Sequence, residues 1–170
     1  MLSEEVISDL YAYSKNPRGF LLFSGGVGRG KSYAAMQIYH RVSPFRLPAY
    51  DHDIAWFITQ AELNLLFLEA HESTRNSADL LKKTTACKLL VLDDLGTRTP
   101  SAAYLDFLYA AVDRRYNERQ EKGTIVTTNL DANRIRCEFG EAMLSRIASG
   151  RIYKFEGEDR RLTEKGLQSI

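Results

Sequence analysis

Five short apolar runs punctuate the chain: Phe20–Phe23, Ile54–Ile58, Leu89–Leu92, Thr124–Thr128 and Ile152–Phe155. Most are continuous rather than alternating, which is the pattern of parallel strands covered on both faces. Between them the apolar spacing changes to that of helices. Ala34, Ala35, Ile38, Tyr39 and Val42 fall on one face after the first run. Leu63, Leu66, Phe67 and Ala70 do so after the second, and Leu105, Leu108, Tyr109, Val112 and Tyr116 after the third. That last helix is predicted to start with Thr99 as cap and Pro100 in its first turn, and Gly123 lies beyond its end. Alternating β and α segments predict an α/β fold, a five-stranded parallel sheet between helices. The Pro44- and Pro48-containing stretch Ser43–Asp53 reads as the main irregular loop. Nothing repeats, and no low-complexity linker divides the chain.

Composition narrows the class without naming a chemistry. At 170 residues the chain is one domain's worth. A hydrophobic content of 44% and a charged content of 26% are those of an ordinary soluble protein. The net charge is +1, so any nucleic-acid surface has to be a local patch. Cys87 and Cys137 have neither metal nor redox spacing, and no stretch has membrane-spanning length or the layout of a signal peptide. A reduced, cytoplasmic setting with no membrane partner is the expectation.

The candidate chemistry begins at Gly25-Gly26-Val27-Gly28-Arg29-Gly30-Lys31-Ser32, which fits the P-loop pattern G-x-x-x-x-G-K-[ST]. It follows an apolar strand and opens a helix, the setting the motif requires. Glycines let backbone N–H groups converge on a polyphosphate at the positive end of the helix. Lys31 then reaches the β- and γ-phosphates, Ser32 ligates magnesium, and Tyr33 follows directly on the helix. The expected ligands are ATP and Mg2+.

A second element is Leu89-Leu90-Val91-Leu92-Asp93-Asp94, an apolar strand ending in two carboxylates, as in a Walker B motif. The carboxyl ends of strands are where ligands collect in open α/β sheets. Asp93 is expected to hold magnesium through water, and Asp94 to polarise the water that attacks the γ-phosphate. Asp-Asp-Leu-Gly is also good turn chemistry. Many ATPases have Glu at the second position, so Asp94 reaches one methylene less far. The fourth run ends at Asn129, which on spacing alone either caps the next turn or bonds the attacking water or the γ-phosphate.

Taken together, FLLFSGGVGRGKSYAA, KLLVLDDLG, VDRRYNE, TIVTTNL and MLSRIASGRIYKFEGEDRR resemble the DnaC/DnaI-type helicase loaders and the related IstB transposition ATPases. These are P-loop ATPases of the AAA+ (ASCE) class. The resemblance runs from Gly19 to Arg161 and implies an AAA+ core over residues 19–157, with a short N-terminal segment (1–18) and a C-terminal tail (158–170). That tail leaves the helical lid absent or minimal. The resemblance makes Asn129 the sensor 1 residue and Arg146 the arginine finger offered to a neighbouring subunit's ATP, a role suited to an always-charged fork. The sensor 2 arginine is Arg160 or Arg161. The family's N-terminal helicase-gripping segment has no counterpart in residues 1–18, which implies a trimmed chain or a minimal variant recruited differently. Arg29 departs from the frequent Pro-Gly-Thr-Gly form of the loop.

The expected function is therefore Mg-dependent ATP hydrolysis by a self-associating helicase loader of DNA replication, with a replicative helicase as partner and weak, ATP-dependent contact to single-stranded DNA. An IstB-like transposition ATPase is the alternative, as is a nucleotide-gated binding module with little turnover. Lys82-Lys83 and Arg114-Arg115 with Tyr116 are candidate DNA contacts, although charge pairs on helices are usually solvated faces. Asp51-His52-Asp53 cannot easily close a metal site alone, and His40 and His71 show no matching spacing. Trp56 is expected in the core.

Overall fold

A computed structural model describes residues 3–44, 54–72, 77–157 and 159. In chain order the elements are α1 (Glu4–Lys15), β1 (Gly19–Gly25), α2 (Lys31–Val42), β2 (Ala55–Thr59), α3 (Gln60–Glu72), α4 (Ser77–Ala86), β3 (Leu89–Leu95), α5 (Ala102–Asn117), β4 (Gly123–Thr128), α6 (Ala132–Phe139), α7 (Glu141–Ile147) and β5 (Arg151–Phe155). The five strands form one sheet in the order β2-β3-β4-β1-β5, and every neighbouring pair is parallel. The predicted α/β sandwich is the observed one.

Alternation along each strand divides the core in two. Leu21, Phe23, Leu89, Val91 and Ile125 pack with Leu10 and Tyr13 of α1 and Ala35 and Ile38 of α2. Phe20, Leu22, Leu90, Leu92 and Val126 face the opposite way, against residues of α3, α5, α6 and α7. Residues 90–92 are 2% exposed or less, as a strand covered on both faces should be. Trp56 is in this second core, as expected, with the Lys83 ammonium 5.0 Å from its ring centroid.

Several local readings change. The α5 cap is Ser101, not Thr99: Ser101 is extended (φ −67°, ψ 157°), as is the α1 cap Ser3, and the Ser101 Oγ accepts the Tyr104 N–H. Pro100 therefore lies before the helix rather than in its first turn. On α5 the fully buried stripe is Tyr104, Phe107, Leu108, Ala111, Val112 and Arg115, while Leu105, Tyr109 and Tyr116 flank it. Residues 4–15, for which the sequence reading offered no element, form α1 on α2. Asp9 ties α1 to the edge strand by accepting from Arg151 and from the Tyr153 hydroxyl. Burial and the Asp9 carboxylate push that phenol up to about 12, so it stays a donor at neutral pH. Most of the predicted loop, Asp51-His52-Asp53 included, lies outside the described residues.

Among the described residues no helix is long and apolar enough to cross a membrane, and no group of three or more His, Cys, Asp or Glu is placed to hold a metal.

Candidate nucleotide site

The strand order puts β4 between β1 and β3, so three strand ends meet along one edge: the glycine loop after β1, the acidic pair at the end of β3 and Asn129 after β4. They enclose a cleft of about 630 Å³ lined by residues 27–33 with Asp94, Thr97 and Asn129.

The loop curls because its glycines take conformations other residues avoid. Gly25, Gly28 and Gly30 have φ of 141°, 70° and 89°. Closeness forbids side chains as well: a Cβ on Gly25 would lie 2.2 Å from the Phe155 carbonyl oxygen, and one on Gly28 would lie 1.7 Å from an Asp159 carboxylate oxygen. Gly30 caps α2 with no side-chain hydrogen bond, whereas Ser3, Ser101 and Asp131 cap α1, α5 and α6 with theirs. The first turn of α2 thus places the positive end of a helix at the cleft. Arg29 folds back onto the loop, its guanidinium carbon 2.9 Å from where a Gly26 Cβ would stand.

Lys31 is 5% exposed. Its ammonium donates to the carbonyls of Gly25 (2.9 Å) and Gly26 (2.7 Å) and to Asn129 Oδ1 (2.6 Å). The P-loop lysine and Asn129, 98 residues apart, are in direct contact. Ser32 is half-buried beside it at the cleft, and Tyr33 stands 68% exposed at the mouth.

The two carboxylates do different things. Asp93 is buried, and one of its oxygens accepts the Thr127 hydroxyl at 2.6 Å. Asp94 is at φ 55°, the one non-glycine with positive φ among the described residues, and it lines the cleft. Its amide donates to Thr127 Oγ1 at 2.9 Å. The loop beyond is held by Gln60, 2% exposed: its Oε1 accepts the Gly96 N–H (2.6 Å), its Nε2 donates to the Arg98 carbonyl (3.0 Å), and its own carbonyl accepts the Tyr104 hydroxyl (3.1 Å). Thr127 and Gln60 were missed by the sequence reading. The available signal was polarity at the ends of buried strands, where a polar group requires a partner.

The remaining candidates are elsewhere. Arg146 on α7 is not among the residues lining the cleft. Its Nε and Nη2 donate to Asp113 Oδ1 of α5 (2.7 and 2.6 Å), its Nη1 to the Ala142 carbonyl (3.0 Å), and it stacks on Tyr109. Arg115 cannot be a DNA contact: it is 0% exposed, with its donors spent on Thr124, Cys87, Gly123 and the last carbonyls of α4. Lys82, Lys83 and Arg114 are exposed. Arg160 and Arg161 lie outside the described residues.

A parallel five-stranded sheet with a glycine loop after its first strand, an acidic pair on its third and a polar residue after the strand between them is the arrangement of a P-loop fold. No family model matches the sequence, and no curated protein does. Solved structures do. The chain is similar to the DnaC helicase loader at 20% identity and a TM-score of 0.74, covering 89% of each chain. It is similar to DnaI at 16% identity and a TM-score of 0.68, covering 92% of this chain and 83% of that one. The AMPPCP-bound DnaA from Aquifex aeolicus gives a TM-score of 0.75 at 15% identity, with 97% of this chain matching 52% of that one. The fold is DnaC/DnaI-like, as the motif order predicted.

Proposed function

We propose that this chain binds and hydrolyses ATP with magnesium, and that it acts in DNA replication as a loader of a replicative helicase. The observation that carries the reading is the convergence of Lys31, Asp94 and Asn129 on one cleft at the start of α2. Helicase loading rests on the fold's likeness to DnaC and DnaI, together with the motif order.

The residues present fit the ligands. The α2 N–H groups, the glycine loop and Lys31 supply an anion cradle at the cleft. Lys31 exchanges loop carbonyls and Asn129 for phosphate oxygens. Ser32 and Asp93 are hard oxygen donors of the kind magnesium takes, and bound magnesium neutralises charge on the transferred phosphoryl group. Asp94 faces the cleft to accept a proton from the attacking water, and Asn129, once released by Lys31, orients that water or the γ-phosphate. Arg146 lies outside its own cleft, so we assign it to the ATP of a neighbouring copy in an ATP-dependent oligomer. Lys82, Lys83 and Arg114 are left as the patches for weak, salt-sensitive contact with single-stranded DNA. Arg160 or Arg161 is the sensor 2 candidate.

The test separates binding from turnover. Asp94→Asn should bind ATP as the parent does and lose hydrolysis by about a hundredfold or more, because an amide is no base. Asp93→Asn should instead raise the magnesium concentration needed. Normal hydrolysis by Asp94→Asn would overturn the assignment, and a parent that binds ATP without turnover would leave a nucleotide-gated binding module. With Asp94→Asn as a trap, a pull-down from the source cell should recover a replicative helicase. Recovery of a transposase would move the chain to the IstB-like role.

A further inference from the structure

β4 is buried along its whole length, yet it carries three threonines. Two serve the fold: Thr124 Oγ1 accepts from Arg115, and Thr128 donates to the Leu95 carbonyl while accepting the Leu130 N–H. Thr127, 0% exposed, touches both acidic residues of the site instead. Its hydroxyl donates to Asp93 Oδ1 at 2.6 Å and accepts the Asp94 N–H at 2.9 Å.

The sheet explains why one hydroxyl meets two successive residues. β3 and β4 are in step at Leu92↔Val126 and resume at Leu95↔Thr128. Asp93 and Asp94 therefore stand against Thr127 alone, the two-against-one count of a β-bulge. A regular strand would send successive side chains to opposite faces. Here Asp93 keeps to the α2 face, and the left-handed turn at Asp94, φ 55°, redirects the second carboxylate to the cleft. The bulge also removes the Asp94 amide from the ladder, and the Thr127 oxygen takes it up.

We propose that Thr127 is a positioning residue for hydrolysis, a single hydroxyl that orients both carboxylates. The proposal rests on the roles given above to Asp93 and Asp94. An ionised carboxylate only accepts and an amide N–H only donates, so the hydroxyl proton is committed to Asp93 and an oxygen lone pair to Asp94. One Asp93 oxygen is thereby occupied and the other is left for the cation. Asp94 is held in a backbone conformation that non-glycine residues seldom adopt. Threonine suits the position because it donates and accepts through one atom and its β-branch restricts χ1.

The experiment compares Thr127→Val, which keeps the shape, with Thr127→Ser, which keeps the hydroxyl. ATP affinity should stay within about twofold for both, while Val lowers kcat by about tenfold to a hundredfold, the scale of a misplaced reacting group. Val should also raise the half-saturating Mg2+ of nucleotide binding about threefold or more, since Asp93 loses its orientation. In the nucleotide-free protein, exchange of the Asp94 amide proton should accelerate about tenfold or more, as expected for a lost hydrogen bond. Ser should return all three readouts to within about threefold of the parent. Should the valine protein not fold, Thr127→Cys, a weak donor of similar shape, replaces it with the same expected pattern. Parental turnover and Mg2+ dependence in Val would overturn the proposal, and so would a serine variant as impaired as Val, since the methyl rather than the hydroxyl would then matter. A parent that binds no nucleotide would overturn the proposed function and this inference with it. An active parent matched by Val would sink this inference alone.

Discussion

Among the described residues two cationic side chains are buried, and they are held in opposite ways. Lys31, at the carboxyl end of the sheet, is 5% exposed and donates to two loop carbonyls and Asn129. Arg115, on α5, is fully buried: Nε donates to Thr124 Oγ1 (2.8 Å), Nη2 to the Gly123 carbonyl (2.5 Å), and Nη1 to the carbonyls of Cys87 (3.0 Å) and Thr84 (3.3 Å). Burial pulls the guanidinium below its ordinary value and pushes the neighbouring Cys87 thiol up, so that thiol is no counter-anion. Arg115 instead closes the C-terminal end of α4, where carbonyls lack partners and a positive charge is favoured. Lys31 borders an open cleft, and in the proposed function a ligand's oxygens replace its partners. Arg115 borders none and its partners are fixed. Burial of a charge marks a functional group only where something outside the protein can take the partners' place.

Removing the fixed cation has the largest expected effect. Arg115→Ala leaves the Gly123, Cys87 and Thr84 carbonyls buried without their donor, each costing roughly 1–3 kcal/mol. A loss of about 4 kcal/mol is a large part of a domain's stability. Urea unfolding should show it, and an unchanged midpoint would mean that Arg115 is no staple. Lys31→Ala should do the reverse, leaving the unfolding midpoint within about 1 kcal/mol of the parent. It should weaken ATP binding at least about tenfold, or 1.4 kcal/mol. Calorimetry that found equal affinity would remove the distinction between the two cations.

Arg146 stands between these cases. It is 23% exposed and paired with Asp113 at 2.6 Å, a contact that solvent competes for and a ligand can replace. Arg146→Ala should bind ATP within about twofold of the parent and lose turnover about tenfold or more, because a supplied arginine stabilises charge on the transferring phosphoryl group. Mixed with Lys31→Ala, which carries an intact arginine but a disabled loop, it should regain part of its activity at interfaces where its ATP faces the other subunit's arginine. Co-assembly without recovery at any ratio would remove Arg146 from the shared site and leave it a helix-to-helix clasp.

The sequence made the locally encoded parts of the site legible and hid those built by long-range pairing. The glycine loop, the lysine and the serine lie within eight positions, because curling a backbone around a phosphate is a local task. Asp93 and Asp94 were legible as acids closing an apolar run. Thr127 and Gln60 were not, since their partners are 33 and 36 residues away and the register slip between β3 and β4 has no signature in spacing. Arg115 was misread as surface because Arg114 stands beside it. The helix period held the answer: Leu108, Ala111 and Val112 precede it by seven, four and three positions on the buried stripe.

The smallest effect probes the exchange itself. Lys31 and Asn129 are joined at 2.6 Å, and in the proposed function an arriving phosphate takes Asn129's place on the ammonium. A hydrogen bond from a charged donor is worth about 1.5–3 kcal/mol, but the freed ammonium regains water, which cancels most of it. Asn129→Ala should therefore leave ADP affinity equal or tighten it by no more than about fivefold, roughly 1 kcal/mol, while ATP turnover falls. ADP is the informative ligand because it lacks the γ-phosphate that Asn129 is proposed to meet. Asn129→Asp should act the other way, since its carboxylate pairs with Lys31 and repels the entering anion, weakening ADP by about tenfold or more. If Asn129→Ala instead weakened ADP binding severalfold, the Lys31–Asn129 contact would be a brace that shapes the loop. Lys31 would then resemble Arg115 more closely than its open cleft suggests.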